Sequence, residues 1–196
     1  MTEEIIPDSR ALLVKDGGVK LLVIADLHLT DENEIVYPII ERIKALAKKH
    51  KPAMIVVNGD LFNFGTGGAS ADIFEQEVSK IADLKILMGN HDPEIFPLFL
   101  CTKNYCISHG DMDYKQPQKN LILAHTHPFL KENPVFLKGE LSDGRRFTVL
   151  PTFNTEEKGP EIEDKEQLLG FIFRKDLIKD CIVYNLKGEK IAKLNY

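Results

Sequence analysis

The chain has 196 residues, 43% of them hydrophobic and 28% charged, so it can bury a core and still form a single domain over residues 1–196. Its formal net charge of −5 excludes a general electrostatic attraction to nucleic acid, although a local basic surface or bound divalent cations could supply one. No apolar run has the length of a membrane-spanning helix, and we therefore expect no membrane partner.

The cysteines and the first residues indicate the cellular compartment. Three cysteines, at positions 101, 106 and 181, are too few and too odd in number for a disulfide framework. The chain begins with the acidic segment Met1-Thr2-Glu3-Glu4, whereas a signal peptide begins with basic residues. Both features predict a cytoplasmic protein.

Three apolar runs in the first half predict buried β-strands, at residues 20–25, 53–57 and 84–88. Between the first two runs, apolar residues from Ile35 to Ala47 recur at helical spacing, and those from Ile73 to Ile81 do the same before the third. Strands that alternate with helices pair in parallel, so we expect two βαβ units.

The second half contains shorter runs that are typical of strands. They predict a second sheet packed on the first, with helices outside, and hence an α/β fold. The acidic segment 156–166 and the glycine-rich segment 65–68 are predicted to be loops, the first solvated and the second mobile. The predicted strands of this half are residues 105–108, 121–124, 135–137, 147–150, 171–173 and 181–184.

Side chains that can bind metals follow five of the predicted strands. The carboxyl ends of parallel strands meet at one edge of a sheet, which is where open α/β sheets place their sites. Five of the six histidines of the chain stand at such strand ends, beside carboxylates or an asparagine. The motifs are, in chain order, Asp26-Leu27-His28, Gly59-Asp60, Gly89-Asn90-His91-Asp92, Ser108-His109-Gly110 and His125-Thr126-His127.

The mixture of ligand types indicates transition-metal ions. Imidazole with carboxylate and amide oxygens suits Mn²⁺, Fe or Zn²⁺, and the set is too rich in nitrogen for a Ca²⁺ site. There are more candidate ligands than the four of a structural zinc ion, which favours two cations that share a bridging carboxylate, and Asp60 is the best candidate for that bridge. A lone histidine at a strand end is usually an ordinary hydrogen-bonding residue, so the prediction rests on the joint order of the motifs.

The motifs between Asp26 and Pro128 resemble, in the same order, the five-part signature of the calcineurin-like metallophosphoesterases. The resemblance implies a four-layer α/β/β/α sandwich with a dinuclear metal centre at the sheet edge. Two positions differ from the family pattern, since Ala124 stands where the family has glycine and Asn63 where aspartate is frequent.

The resemblance also implies a role for each motif residue. His91 would lie outside both metal-binding sets and act on the substrate, and Asp92 would orient it. One ion would be held by Asp26, His28, Asp60 and His127, and the other by Asp60, Asn90, His109 and His125.

On this interpretation the protein is a metal-dependent phosphoric ester hydrolase. Two divalent cations, with Mn²⁺ as the first choice and Fe or Zn²⁺ as alternatives, would bind a hydroxide that attacks a phosphodiester or phosphomonoester. His91 would donate a proton to the leaving oxygen.

Two further strings narrow the resemblance. His125-Thr126-His127-Pro128 and Leu150-Pro151-Thr152-Phe153-Asn154 are similar to a small archaeal and bacterial subgroup, some of whose members resemble ligase-associated DNA-repair phosphoesterases. Nucleic acid or a nucleotide is therefore a candidate substrate.

We interpret Phe62 and Phe64 as core or pocket wall rather than as a platform for stacking bases.

Two other classes of protein are alternatives. A catalytically inactive interaction module of the same fold would be expected to have lost ligands, whereas every ligand type is present here. A metal hydrolase acting on amides or carbonyl esters is suggested only by His125-x-His127, and that class usually opens with its histidine pair on the first strand. This chain opens instead with Asp26-x-His28.

Overall fold

The computed structural model describes residues 1–31, 35–64, 68–175 and 177–194. The elements of its first half are β1 (Thr2–Ile6), β2 (Ala11–Asp16), β3 (Val19–Ile24), α1 (Val36–His50), β4 (Met54–Asn58), α2 (Gly68–Val78) and β5 (Asp83–Leu87). The five strands form one sheet in the order β1-β2-β3-β4-β5, in which β3, β4 and β5 are parallel and β2 is antiparallel to both of its neighbours, β1 and β3. The two predicted βαβ units are thereby confirmed.

The second half forms a seven-stranded sheet and a small hairpin of β9 and β10. The order of the larger sheet is β14-β13-β11-β12-β8-β7-β6, with β8 parallel to both β7 and β12. The strands are β6 (Phe99–Cys101), β7 (Tyr105–Ser108), β8 (Asn120–Leu123), β9 (Phe129–Leu130), β10 (Asn133–Pro134), β11 (Phe136–Leu141), β12 (Arg146–Val149), β13 (Ile178–Tyr184) and β14 (Lys190–Leu194).

One predicted strand is wrong. Residues 171–173 belong to the single-turn helix α3 (Phe171–Arg174), which follows Gly170 with φ 105°. Phe171 and Ile172 are buried against the seven-stranded sheet. A short apolar run fits either a buried strand or a buried helical turn, so its periodicity could not separate the two.

Three apolar clusters separate four layers. The first joins α1 and α2 to the outer face of the five-stranded sheet, for example through Ile43 and Phe74. The second lies between the two sheets, and the third covers the outer face of the seven-stranded sheet. The predicted α/β/β/α order is therefore confirmed, although the fourth layer consists mainly of loop, a 3₁₀ turn (Lys165–Gln167) and α3.

The two predicted loops differ in outcome. Residues 65–67 of the glycine-rich segment lie outside the described residues, and Gly68 begins α2. Residues 156–164 form a loop, and residues 165 and 166 begin the 3₁₀ turn. The segment is not simply solvated, because Ile162 is 1% exposed within the third cluster. Among the described helices, none combines the length and the apolar character needed to cross a membrane.

Candidate metal centre

The five strand-end motifs meet at one edge of the structure, and their backbone is unusual there. Residues with a side chain rarely adopt positive φ, although Asp, Asn and His do so more often than most. Such conformations cluster at functional sites, where the surrounding structure holds them in place. Positive φ occurs at five motif residues other than glycine: Asp26 (56°), His28 (46°), Asp60 (49°), His125 (66°) and His127 (45°).

The first cluster of ligand atoms contains Asp26, His28 and His127, whose donor atoms lie within 4.8 Å of one another. His127 Nε2 is 3.3 Å from Asp26 Oδ1 and 3.3 Å from His28 Nε2. Asp26 is fully buried, and within the described part of the chain neither of its carboxylate oxygens accepts a hydrogen bond. A buried carboxylate without donors is costly unless a cation neutralises it, so this cluster fits a divalent metal ion.

The second cluster contains Asp60, His109 and His125. His109 Nε2 lies 3.2 Å from Asp60 Oδ2, 3.1 Å from His125 Nδ1 and 3.1 Å from Asn90 Oδ1. On the other side of the ring, Nδ1 is 3.1 Å from the carbonyl oxygen of Asn58, and we assign the proton to this nitrogen. When Nε2 loses its proton, its lone pair would face the cluster, as in metal-binding histidines that donate their other N–H to a carbonyl.

Asp60 lies between the two clusters. Its Oδ2 is 3.2 Å from His109 Nε2 and 4.0 Å from His28 Nε2. Its Oδ1 accepts a hydrogen bond from the backbone N–H of His91 at 3.0 Å. The predicted bridging residue is therefore near ligands of both sets, and its carboxylate is held in place by the neighbouring loop.

Two glycines allow this close approach. A Cβ atom at Gly59 would overlap the imidazole of His109, and one at Gly89 would overlap the carboxylate of Asp60. Gly59 also has φ 82°, which favours glycine. The sequence suggests that both glycines serve to turn the chain sharply, whereas at Gly89 the missing side chain makes room for Asp60.

The electrostatics of the second cluster are those of a cation-binding site. Burial alone would lower the pKa of His109, but a hydrogen bond to Asp60 and the charges of Asp26 and Asp60 raise it to about 9. Burial, the largest single effect, would raise the pKa of Asp60, but the hydrogen bond and charge of His109, the backbone N–H of His91 and the charge of His28 together outweigh burial and hold the pKa well below its ordinary range. Burial and the charge of His109 lower the pKa of His125 to about 4. Without a metal ion, a proton on His109 supplies the positive charge that the carboxylates require.

His91 stands beside this centre. One of its ring nitrogens lies within 4.8 Å of ligand atoms of His28 and Asp60. Its Nδ1 is buried without a hydrogen-bond partner in the described residues. The carboxylate of Asp92 accepts hydrogen bonds from the backbone N–H groups of Phe62 (3.0 Å) and Gly89 (2.8 Å), so it braces the two loops that carry Asp60 and His91.

The sequence did not reveal the supports behind the first loop. Thr152 donates a hydrogen bond from its hydroxyl to the carbonyl of Asp26 (2.8 Å), and Asn154 donates one to the carbonyl of Leu27 (3.0 Å). Arg42 in turn donates to the carbonyl of Phe153 (2.9 Å) and lies 4.1 Å from its ring centroid. The sequence did contain one signal for these supports. Thr152 and Asn154 are polar residues that follow a predicted buried strand, and buried polar groups need hydrogen-bond partners.

The two phenylalanines after Asp60 have different environments. Phe62 packs against the first apolar cluster and stacks on Phe96, with ring centroids 6.2 Å apart. Phe64 is 80% exposed and lies against His91. The interpretation as core or pocket wall therefore fits Phe62 but not Phe64. Ala124, where the family has glycine, is 1% exposed and fits the cluster between the sheets.

Two stacked sheets with histidines and carboxylates gathered at the strand ends define an α/β metalloprotein. The family model described as calcineurin-like phosphoesterase matches residues 19–190, and the chain belongs to this family of metal-dependent phosphoesterases. The crystal structure of Pseudomonas putida nuclease MPE is similar to this chain, with a TM-score of 0.58, 16% identity, and coverage of 78% of this chain and 91% of that chain. A search of curated proteins finds no match.

Proposed function

We propose that the protein is a phosphodiesterase with two divalent cations, and that the whole of residues 1–196 forms its single domain. The observation that supports this best is the buried carboxylate of Asp26, which has no hydrogen-bond donor in the described residues although ring nitrogens of His28 and His127 lie within 4.8 Å of it. Two ions would neutralise Asp26 and Asp60 and occupy the space toward which these nitrogens point. The proposed ligands are Asp26, His28, Asp60 and His127 for one ion, and Asp60, Asn90, His109 and His125 for the other.

The proposed metal is Mn²⁺, with Fe or Zn²⁺ as alternatives, because the donor set combines imidazoles with oxygen ligands. When bound, two such cations polarise the phosphoryl oxygens and lower the pKa of the attacking water. Asn90 contributes a neutral oxygen and is exposed, so its ion should be the more easily lost.

His91 and Asp92 have the proposed catalytic roles. His91 lies close enough to His28 and Asp60 to form a third group of potential ligands with them. We nevertheless assign His91 to neither ligand set, so that its imidazole would be free to donate a proton to the leaving oxygen. Asp92 would act through the backbone, because its carboxylate joins the N–H groups of Phe62 and Gly89 and so fixes the loop of His91. Asp92 is therefore a positioning residue in this proposal.

The proposed substrate is a nucleic acid or a nucleotide ester. The similar structure from Pseudomonas putida is named a nuclease, and the short sequence segments around His127 and Asn154 resemble the DNA-repair subgroup.

Free cysteines at positions 101, 106 and 181 support a reducing compartment, and we propose the cytoplasm as the location of the protein. The alternative of an inactive interaction module is less favoured, because the described site retains every proposed ligand.

Hydrolysis of bis-p-nitrophenyl phosphate by metal-depleted protein, with and without added Mn²⁺, tests this function. We expect turnover only with the metal, and much less turnover in Asp26→Asn, which keeps the shape of the side chain but removes its charge. Arg145→Lys is a suitable control, because Arg145 pairs with Asp113 and Asp143 rather than with a proposed ligand. Metal-independent turnover, or full activity in Asp26→Asn, would contradict the proposal.

A further inference from the structure

Phe64 is a large apolar side chain that the fold does not use for its core. Its side chain is 80% exposed, the highest value among the exposed large hydrophobic residues, and it belongs to none of the three apolar clusters. Its backbone has φ 51°, a left-handed conformation that is unfavourable for a residue with a Cβ atom. Neither burial nor local backbone preference therefore explains why a phenyl ring occupies this position.

The one ring contact of Phe64 among the described residues is with His91. The two ring centroids are 4.4 Å apart and the planes are tilted by 39°. His91 in turn lies among the ligand atoms of His28 and Asp60. The phenyl ring is thus separated from the proposed metal-binding atoms by the width of one imidazole, while most of its surface faces solvent.

This geometry matches the distribution of groups in a nucleotide. A nucleotide ester carries an anionic phosphorus group at one end and a planar base at the other, with one sugar between them. A phosphoryl group at the ligand cluster would place the base within reach of the exposed phenyl ring. Aromatic side chains bind bases in this way without regard to sequence, because every base has a π face.

We propose that Phe64 is the stacking platform for a nucleobase of the substrate and makes the enzyme prefer nucleotide esters to alkyl phosphate esters. This inference rests on the proposed phosphodiesterase function and specifies its substrate class. Phe64 then contributes to binding and leaves the bond-breaking step to the residues of the metal centre. Its effect should appear only with substrates that carry a base.

Two substrates with the same leaving group test the proposal. Thymidine 5′-(p-nitrophenyl phosphate) carries a base, and methyl p-nitrophenyl phosphate does not. In Phe64→Ala we expect kcat/KM to fall roughly 5- to 150-fold for the thymidine ester, the range given by stacking of one base, and to stay unchanged for the methyl ester. Ile191→Ala is the control, because Ile191 is 47% exposed on β14, the edge strand of the seven-stranded sheet, and should change neither value.

The contrary outcomes are distinct. An equal loss with both esters would mean that Phe64 supports the metal centre and does not bind the base, and no loss with either would mean that the ring has no part in binding. Both results overturn the stacking proposal. If the wild-type protein with Mn²⁺ hydrolyses neither ester, the phosphodiesterase function is wrong, and a binding measurement must decide the role of Phe64.

Tryptophan fluorescence can supply that binding measurement. The chain contains no tryptophan, so an introduced one would be the only source of the signal. Phe64→Trp introduces a single fluorophore at the proposed platform, and zinc-loaded protein avoids quenching by paramagnetic Mn²⁺. We expect thymidine 5′-monophosphate to quench the fluorescence and inorganic phosphate to leave it nearly unchanged at the same concentration. Equal responses to the two ligands, or no response to the nucleotide, would refute stacking, provided that an unchanged melting temperature shows the variant to be folded.

Discussion

Replacing Gly89 by alanine tests whether the metal centre depends on the close approach of two loops. The φ of Gly89 lies outside the left-handed region, so its backbone accepts alanine. The added Cβ would, however, overlap Oδ1 and the backbone nitrogen of Asp60 and lie 2.8 Å from Asp60 Cγ. Carbon atoms pack best at about 3.5–4.0 Å, so the carboxyl group must retreat by roughly 1 Å and the backbone at Asp60 must also shift.

The geometry sets the size of the effect. Overpacking of this kind costs about 1–3 kcal/mol of unfolding free energy. Metal–ligand distances tolerate only about 0.2 Å of change, so a displaced Asp60 should weaken the binding of both ions. A misplacement of about 1 Å in a catalytic site reduces the rate on the order of 10²-fold.

Two other glycines provide matched controls. At Gly139 on β11 a Cβ would overlap the backbone carbonyl of Asp180 and lie 2.9 Å from the ring of Phe147. Neither residue is a proposed ligand, so Gly139→Ala should lose similar stability but keep its metal affinity. At Gly68, in the first turn of α2, no described atom lies within 4 Å of the added Cβ. Gly68→Ala should therefore be neutral or gain about 0.4–1 kcal/mol.

Urea unfolding, metal titration and hydrolysis of bis-p-nitrophenyl phosphate measure the three quantities on the same preparations. Gly89→Ala should differ from Gly139→Ala in metal affinity and rate while resembling it in stability. If Gly89→Ala binds two ions as tightly as the wild-type protein, the site does not depend on this contact, and Asp60 is not the bridging ligand.

Three further predictions concern two proposed ligands and His91. Asp60→Ala should lose more than one ion, because one carboxylate serves both, and metal analysis that still finds two tightly bound ions would refute the bridge. His91→Gln should keep both ions but slow the hydrolysis of an alkyl or nucleotide ester by roughly 10²–10⁴-fold. Hydrolysis of a p-nitrophenyl ester should slow far less, because nitrophenolate leaves without a proton. Equal slowing of the two reactions would show that His91 is not the general acid. Since the pKa of His109 in the metal-free protein is raised to about 9, this histidine is protonated at pH 7, and metal uptake should release a proton and tighten as the pH rises toward 9. An indicator dye in weakly buffered solution measures the release, and uptake without protons would show that His109 is not a ligand.

The sequence predicted the central strands and the location of the site because both depend on strong local patterns. The apolar runs that became β3 and β4 are typical of parallel strands buried on both faces, whereas β5 is an edge strand that contains Lys85. The candidate ligand residues then followed from where the three runs end. The edge strand β1 was missed because its first residues are Thr2, Glu3 and Glu4, which are polar and at least partly exposed.

Other features depend on contacts between distant segments and could not be predicted locally. The need for glycine at position 89 arises from Asp60, which belongs to a different loop. The exposure of Phe64 could not be distinguished from the burial of Phe62, because the two residues share one short segment with the same composition. Likewise, the support that Asn154 gives to Leu27 joins residues that are 127 positions apart.

The hydrogen bonds from Thr152 and Asn154 to the loop of Asp26 have a consequence for synthesis of the chain. They join residues 126 and 127 positions apart, so the first loop gains its supports only after the ribosome has passed Asn154. At about 5–20 residues per second, that is on the order of ten seconds after Asp26 is made. The parallel strands of the amino-terminal sheet can pair during this interval. If His125 and His127 are ligands as proposed, the metal centre is complete only after both residues have been added, so we expect metal binding to follow the pairing of the first sheet.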